Sequence, residues 1–449
     1  MWSLPPAANQ SSRTNRNCAN PTCTRLIGDA PRAFVGDAKE DMNFLLRSLF
    51  YGALAGTVTS TIYCGMVLVG ALGFARRKRR EEREPADFLP PVSILKPLHG
   101  TEPDLEENLK RFFDLDYPQY EILFAARHDS DAGLQLARRV AAVHPEIPAR
   151  FLTVGEPQFP NAKMWSLTVL AQAAQYETLV TSDADARVSR DYLRRMVQEL
   201  AEPKRELASC LYIGRTNGGF AARLDAVGKS VEMSGGIFVA DLVERGTKFA
   251  LGVSMVLRRD AFLKAGGYED LGQYYAEDFV LGNRLAEKGY GVRMANYVVR
   301  LMVLPQGLRK SFTDQLRWMK STRRSRPAGH LGTGLTYAMP FGLLGFIWGL
   351  FSGHPIAGLL WLLASCVNRW LMAAVVLWAL EDEEAAKPIL IYPLRDLLGF
   401  VVWVASYIGS NTRYHGGTYA IGPDGRFRRV DQALANGTPN LPQTPARRP

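Results

Sequence analysis

Apolar and polar positions along the chain fall into blocks. From Phe44 to Phe74 nearly every residue is apolar, Arg47 and a few hydroxyls apart. The core of this run, about Leu49 to Phe74, can cross a bilayer interior of about 30 Å at roughly 1.5 Å per residue. Five bases follow at once, Arg76-Arg77-Lys78-Arg79-Arg80. Bases beside a span mark its cytoplasmic side, so the domain that follows is expected in the cytoplasm. Three further apolar runs lie near the C-terminus, at about Leu335–Leu350, Ile356–Leu380 and Ile389–Ile408. The breaks between them are Ser352-Gly353-His354-Pro355 and Glu381-Asp382-Glu383-Glu384. The middle run is a clear span. The first carries Pro340 and several glycines and reads as a kinked span or a re-entrant element. The third carries Arg395 and Asp396 near its start, a pair costly in lipid unless it sits at the interface or faces protein. Three or four spans are expected, and the side of the C-terminus stays open.

Between these blocks, residues 88 to about 330 alternate between strand and helix patterns. Pro91–Leu95, Tyr120–Ala126, Ala149–Val154 and Thr178–Ser182 read as short buried strands. Leu105–Phe113, Leu134–Val143 and Trp165–Ala174 have helical spacing. Acidic residues recur just after the strands. Such alternation predicts an α/β unit with a mostly parallel sheet, whose ligands lie beyond the carboxyl ends of the strands.

Composition narrows the classes. The 449 residues are 47% apolar and 22% charged, too apolar for a disordered chain. The mean hydropathy of −0.09 resembles that of a soluble protein only because polar and apolar blocks cancel. The formal net charge is +10. The arginines cluster at the borders of the apolar runs and no nucleic-acid recognition motif accompanies them, so anionic lipid or a phosphorylated substrate is the expected partner rather than nucleic acid. Five scattered cysteines and six histidines form neither a disulfide framework nor a metal-ligand spacing. Residues 1–43 are polar and lack a signal-peptide layout. Met42 stands directly before the first apolar run, and a natural start there would leave the first 41 residues as a tail.

Two acidic sites carry candidate chemistry. Asp183 and Asp185, in Thr181-Ser-Asp-Ala-Asp-Ala-Arg187, sit two residues apart after a buried strand, where both can turn toward one hard cation. A solvated turn would place the same letters there. Glu277 and Asp278 open a helix-like run after Gly266-Gly267-Tyr268; they are either simple N-terminal helix charges or include a general base. Farther on, Arg317 and Trp318, followed by Arg323-Arg324-Ser325-Arg326, fit an amphipathic interfacial helix. They fit equally a site where Arg317 neutralises a leaving diphosphate and Trp318 lines an acceptor.

Taken in order, these segments resemble the ceramide glucosyltransferase family, of glycosyltransferase family 21 type. Lys96-Pro97-Leu98-His99-Gly100 is similar to its KPL-x-G element, and Asn108-Leu109 through Phe112-Phe113-Asp114-Leu115-Asp116-Tyr117-Pro118 to its NL…FF-x-LDYP element. Asn161-Ala162-Lys163 matches its NPK loop, with alanine where proline is usual. Asp183–Val188 resembles its second aspartate motif, Ala276-Glu277-Asp278 its third, and Arg317-Trp318 its final motif. Gly219–Ala222 and Arg258-Arg259-Asp260…Gly266-Gly267-Tyr268 also match, and the likeness covers about residues 44–425. Two departures stand out. The first aspartate motif, D-x-x-D-P, has His128 at its first acid, leaving Asp129 or Asp131 for the nucleotide base. The final motif, (Q/R)-x-x-RW, has Asp314 at its first position, with Gln315 one residue late.

The resemblance implies a GT-A fold with transmembrane helices at both ends. It also implies a UDP-sugar donor and a membrane-lipid acceptor, with inverting transfer of glucose from UDP-glucose to the primary hydroxyl of ceramide. Lys96, Asp129, Asp131, Lys163 and Asp183 would bind the donor, Asp183 and Asp185 would hold Mg²⁺ or Mn²⁺, and Asp278 would be the catalytic base. Gln315, Arg317 and Trp318 would face the leaving group and acceptor. A hopanoid glycosyltransferase using UDP-N-acetylglucosamine, a processive polysaccharide synthase and a catalytically dead membrane scaffold are the alternatives. The expected organisation is a tail at 1–43, an anchor at 44–75, a linker at 76–87 and a cytosolic catalytic domain at 88–330. Two or three spanning or re-entrant segments at 331–410 and a polar tail at 411–449 complete it.

Overall fold

The computed structural model describes residues 32–83, 87–102, 104–384, 386–409, 411–414 and 417–430. Most of the expected N-terminal tail, residues 1–31, lies outside the described residues, as does 431–449 of the expected C-terminal tail. The chain divides into two compact units, 1–49 and 50–449, and the sheet belongs to the second.

A mixed sheet of eight strands carries the middle of the chain. Its strands are β1 (Val92–Pro97), β2 (Tyr120–Ala126), β3 (Ala149–Thr153), β4 (Thr178–Ser182), β5 (Ala186–Arg187), β6 (Arg205–Arg215), β7 (Ser254–Arg258) and β8 (Gly291–Met302). The spatial order is β3-β2-β1-β4-β7-β6-β8-β5. The first four strands in this order are parallel, as the alternating pattern predicts. β7 runs antiparallel to both β4 and β6, whereas β6 and β8 are parallel to each other. β1, β2 and β4 are wholly buried apart from Pro97, as strands covered on both faces are, and buried polar groups on them pair with one another, Ser93 donating to Glu121 at 2.7 Å. Ile94, Phe112, Phe124, Tyr192 and Val256 lie in the core on one side of the sheet; Leu95, Leu123, Leu179, Phe262 and Leu285 lie in the core on the other.

Among the described residues, three helices are long and apolar enough to cross a membrane: Glu40–Arg83, Pro355–Ala379 and Pro388–Ala405. The first belongs to a helix that begins at Arg32, so residues 32–43 are helical rather than irregular. The helix Met339–Phe351 has only 13 residues, about 20 Å at the usual rise, which is too short to span. Arg395 and Asp396 both face protein. Arg369 donates to Asp396 at 3.0 Å, and both side chains are almost fully buried. Asp396 also accepts the amides of Ala338 and Met339 at 3.0 and 2.9 Å, satisfying the start of the short helix. Arg395 pairs separately with Glu232 at 2.7 Å. The apolar helices are thus tied together by charges that the sequence marks as expensive.

The acidic break after the second span ties the membrane block to the sheet. Asp382 accepts from both terminal guanidinium nitrogens of Arg215, at the end of β6, at 2.9 and 2.5 Å. Glu381 pairs with the buried Lys78 of the basic cluster. In the stretch expected to be a polar tail, strands β9 (Asn411–Tyr414), β10 (Gly417–Ile421) and β11 (Phe427–Arg429) form a small antiparallel meander. Polar residues suffice here because the meander docks by backbone and arginine contacts. Lys320 donates to the Asn411 carbonyl at 3.1 Å, and Arg426 forms a bridge with Tyr274.

Candidate active site

The site assembles where β4 ends. Thr178–Ser182 is buried, and the chain then turns through Asp183-Ala184-Asp185, held by the Asp183 amide donating to Val253 O at 2.9 Å. Lys96, at the end of β1, lies beneath this turn with no exposed surface. It donates to the Asp183 carbonyl at 3.0 Å, with its ammonium 3.7 Å from the centroid of the Phe112 ring. Burial lowers its pKa to about 7, although Asp183 and Asp185 pull the other way. In this structure Lys96 therefore braces the turn from behind. On the far side of the turn, Arg187 donates to Asn108 at 3.0 Å and pairs with Glu107 at 3.2 Å, locking it against the helix Leu105–Phe113.

Lys163 joins the two acidic sites. Asn161 caps the helix Ala162–Ala173 by accepting the Met164 amide at 3.0 Å, which sets Lys163 in the first turn. The lysine meets Asp183 Oδ1 at 2.5 Å and donates to Gly252 O at 3.0 Å. Burial works against its charge, but Asp183, Glu277 and Asp278 outweigh that and keep it firmly protonated. The Gly252 amide in turn donates to Asp278 Oδ2 at 2.5 Å, and Phe279 N holds Oδ1 at 2.8 Å. A Cβ on Gly252 would stand 2.8 Å from Asp278 Oδ2, so any larger residue there would push the carboxylate out of its position. Asp278 is thereby aimed by two backbone donors, and burial raises its carboxyl above the usual range against the opposing pull of Lys163. Glu277 beside it is buried, accepts from Asn161 Nδ2 at 2.8 Å, and is pushed up to about 7 by burial and by Asp278.

The fit to a divalent cation rests on Asp185 and Asp183. Burial first, then the charges of Asp183 and Glu102, raise Asp185 to about 7. Crowded carboxylates that resist ionisation in one another's presence are relieved by a cation. Among the described residues no group of three or more His, Cys, Asp or Glu is placed to hold a metal. Two carboxylate ligands with the rest supplied by water and phosphate is the mode Mg²⁺ prefers, so the donor set fits.

Other expected site residues are placed differently. Arg317, on the helix Leu308–Ser325, donates to the Tyr275 hydroxyl, three residues before Asp278, and its guanidinium lies 5.5 Å from the Trp318 ring. Trp318 is 52% exposed and packs edge-on against Tyr275 at 6.3 Å. Gln315 points to the buried side of that helix, bonded to Ser311 at 2.9 Å and away from Arg317, because residues two apart on a helix face nearly opposite ways. Asp314 pairs with Lys310 at 2.8 Å. Asp131 caps the helix Ala132–Ala142 through Gly133 N at 2.9 Å and Leu134 N at 3.2 Å, and accepts Gly100 N at 2.9 Å. It therefore stitches the loop after β1 to the loop after β2. Asp129 is exposed and pairs with Arg138 at 2.5 Å. Neither Asp129 nor Asp131 has a bond to the Asp183–Lys163–Asp278 cluster.

Sequence reasoning passes over several residues that hold the site. Asn161 reads as part of a loop element, although an Asn before an apolar run is a capping signal. Gly252 gives no local sign of its role. Arg426 donates to Asp270 at 2.7 Å and to the Tyr274 hydroxyl at 3.3 Å, and Arg284 meets the same two groups at 2.5 and 3.1 Å. These bonds pin the segment that leads into Tyr275, Glu277 and Asp278.

Residues 52–427 match the family model described as Glycosyl transferase family 21. The chain belongs to this family. It is 28% identical over 240 residues to ceramide glucosyltransferase 1 of Caenorhabditis elegans, covering 53% of this chain and 50% of that one. It is 25% identical over 285 residues to ceramide glucosyltransferase 3 of the same organism, covering 62% and 61%. Against the ceramide glucosyltransferase of Komagataella phaffii it is 29% identical over 146 residues, covering 31% and 29%. The matched regions thus span between about a third and three fifths of these relatives' length. Among solved structures, a mannosyltransferase from Pyrobaculum calidifontis in complex with GDP-Man and Mn²⁺ matches 80% of this chain and 99% of its own. Its identity is 19% and its TM-score 0.44.

Proposed function

We propose that this family 21 glycosyltransferase moves glucose from UDP-glucose to the primary hydroxyl of ceramide with inversion at the anomeric carbon. The observation that carries the reading is the chain of contacts Asp183–Lys163–Gly252–Asp278, which gathers a candidate donor-binding carboxylate and a candidate base around one partly buried lysine. The names of the ceramide glucosyltransferase relatives support ceramide as the acceptor and glucose as the sugar. Asp183 and Asp185 would hold Mg²⁺ or Mn²⁺, which when bound would offset charge on the departing diphosphate. Lys163 adds fixed positive charge on the same side, and Arg317 stands near the base on the Tyr275 hydroxyl.

Asp278 takes the proton from the acceptor hydroxyl as its oxygen attacks the anomeric carbon. The bond from that carbon to the β-phosphate oxygen breaks, and UDP leaves with the electron pair. A base raised by burial is better matched to a hydroxyl proton than an ordinary carboxylate. Trp318 and Tyr275 offer an aromatic edge for a lipid acceptor at the membrane border. The run Arg76–Arg80 favours a cytoplasmic site by the positive-inside rule.

Asp278→Asn tests the base. Turnover should fall by about 10²–10⁴ while UDP-glucose binding, measured by calorimetry with Mn²⁺ present, stays within a few-fold of wild type. Wild-type turnover in this variant would remove Asp278 from the chemistry.

A further inference from the structure

A cavity of about 550 Å³ lies far along the first membrane helix, between it and the helix Met233–Val243. Its position follows from two glycines one turn apart. At Gly70 the second helix approaches so closely that a Cβ would stand 2.8 Å from both the Phe238 carbonyl and its Cβ. At Gly73 nothing lies within 4 Å of such a Cβ, and the gap opens. The floor is apolar, formed by Val69, Phe74, Phe238 and Leu242. The rim on the side away from the span is basic, with Arg76, Arg77 and Arg80.

The three arginines differ. Arg77 is already engaged: it donates to Asn296 Oδ1 at 3.0 Å and to Met294 O at 3.3 Å, and meets Asp241 at 3.6 Å. Asp241, the one carboxylate lining the cavity, is also bonded by Thr247 Oγ1 at 2.9 Å, so its charge is already matched. Arg76 and Arg80 are exposed, stand four residues apart on one helix face, and have no hydrogen bond or ion pair among the described residues. Their surplus positive charge sits above an apolar floor at the end of a membrane helix.

We propose that this cavity binds the headgroup and upper acyl segment of an anionic glycerophospholipid. The phosphodiester would lie between Arg76 and Arg80, and the start of an acyl chain would run over Gly73 toward Val69. Charge selects the class. A neutral sphingoid or sterol-like lipid leaves both arginines unmatched, and a free anion leaves the apolar floor wet. Guanidinium groups suit phosphate because their planar donors match its oxygens. The volume suits a headgroup and part of one chain rather than a whole two-chain lipid. None of the residues lining the cavity belongs to the Asp183–Lys163–Asp278 cluster, so its occupancy does not depend on the glycosyl-transfer reading.

The test uses the full chain in detergent micelles, with bound lipid counted by native mass spectrometry after addition of phosphatidylglycerol or phosphatidylcholine at equal concentration. Wild type should retain phosphatidylglycerol at least about tenfold better. Arg76→Gln with Arg80→Gln should weaken that retention by about fivefold per arginine, the usual gain of a base near an anionic surface. Gly73→Leu fills open space without altering charge. It should displace the lipid while the melting temperature holds, which separates a cavity from diffuse attraction to a basic helix end. Excess sn-glycerol-1-phosphate should not displace the lipid at millimolar concentration, because the free headgroup lacks the apolar contact. Wild-type retention in either variant, equal retention of the two lipids, or full displacement by the free headgroup would each overturn the proposal.

Discussion

Glu277→Gln should stabilise the ligand-free protein at alkaline pH. Glu277 is buried against Asp278, and its carboxyl is raised from 4.5 to about 7 by burial and by that neighbour. A carboxyl whose folded pKa lies above its unfolded value stabilises the fold fully below about 4.5 and loses that contribution as pH rises through about 7. At roughly 1.36 kcal/mol per pH unit, the full loss at pH 8 has an upper bound of about 3 kcal/mol. Near pH 5.5 the same linkage leaves less than about half of it. Glutamine keeps an oxygen for Asn161 Nδ2 and removes the charge. We therefore expect the apparent melting midpoint in detergent, followed by intrinsic fluorescence, to rise by about 2–5 °C at pH 8, with a smaller gain near pH 5.5. A variant less stable than wild type at pH 8, or a gain that grows as pH falls, would refute the claim that burial beside Asp278 raises the Glu277 carboxyl.

Gly252→Ala places a methyl 2.8 Å from Asp278 Oδ2, so kcat should drop by about tenfold or more while donor KM moves little, read in steady-state assays of sugar transfer. Arg426→Ala should lower kcat/KM by about three- to tenfold, with partial recovery in Arg426→Lys, because the C-terminal meander then no longer pins Asp270 and Tyr274 ahead of the base. Arg369→Leu strands Asp396 as a buried charge and should cost about 3–5 kcal/mol. The double change Arg369→Leu with Asp396→Leu should recover part of that in melting experiments.

The first half of the sheet is legible because its strands are short apolar runs separated by acids and helical spacing. Tyr120–Ala126 and Thr178–Ser182 match their strands residue for residue. Ala149–Val154 and Pro91–Leu95 shift by one or two residues at their ends. The second half is less legible. β6 and β8 pair across about 85 residues of intervening chain, and β7 enters antiparallel between β4 and β6, an arrangement set by tertiary packing rather than by local period. Helix starts are blurred for a similar reason: Asn161 and Glu277 lie before the apolar pattern begins, and at Asn161 a side-chain cap rather than hydrophobicity fixes the first turn.

At the site, Asp183, Asp185, Lys163 and Asp278 are visible as motif letters, and the structure joins three of them through Gly252, whose role depends on a contact 26 residues along the chain. Asp131 and Gln315 show the limit of letters alone. The one is fully engaged in capping and the other turns into the protein, and only side-chain direction reveals it. Arg426 lies beyond the last span, where a polar stretch gives no hydrophobic period to read.

Glucose transfer to ceramide by the cluster around Lys163 can be put to trial in a single product assay. The purified protein is incubated with Mn²⁺, UDP-glucose and ceramide, and in parallel with UDP-N-acetylglucosamine and bacteriohopanetetrol, and lipid products are read by mass spectrometry. One hexose should be added to ceramide by the wild type and none by Asp278→Asn. An N-acetylhexosamine on the hopanoid with ceramide left unmodified, or a hexosylated ceramide undiminished in the variant, would contradict that chemistry.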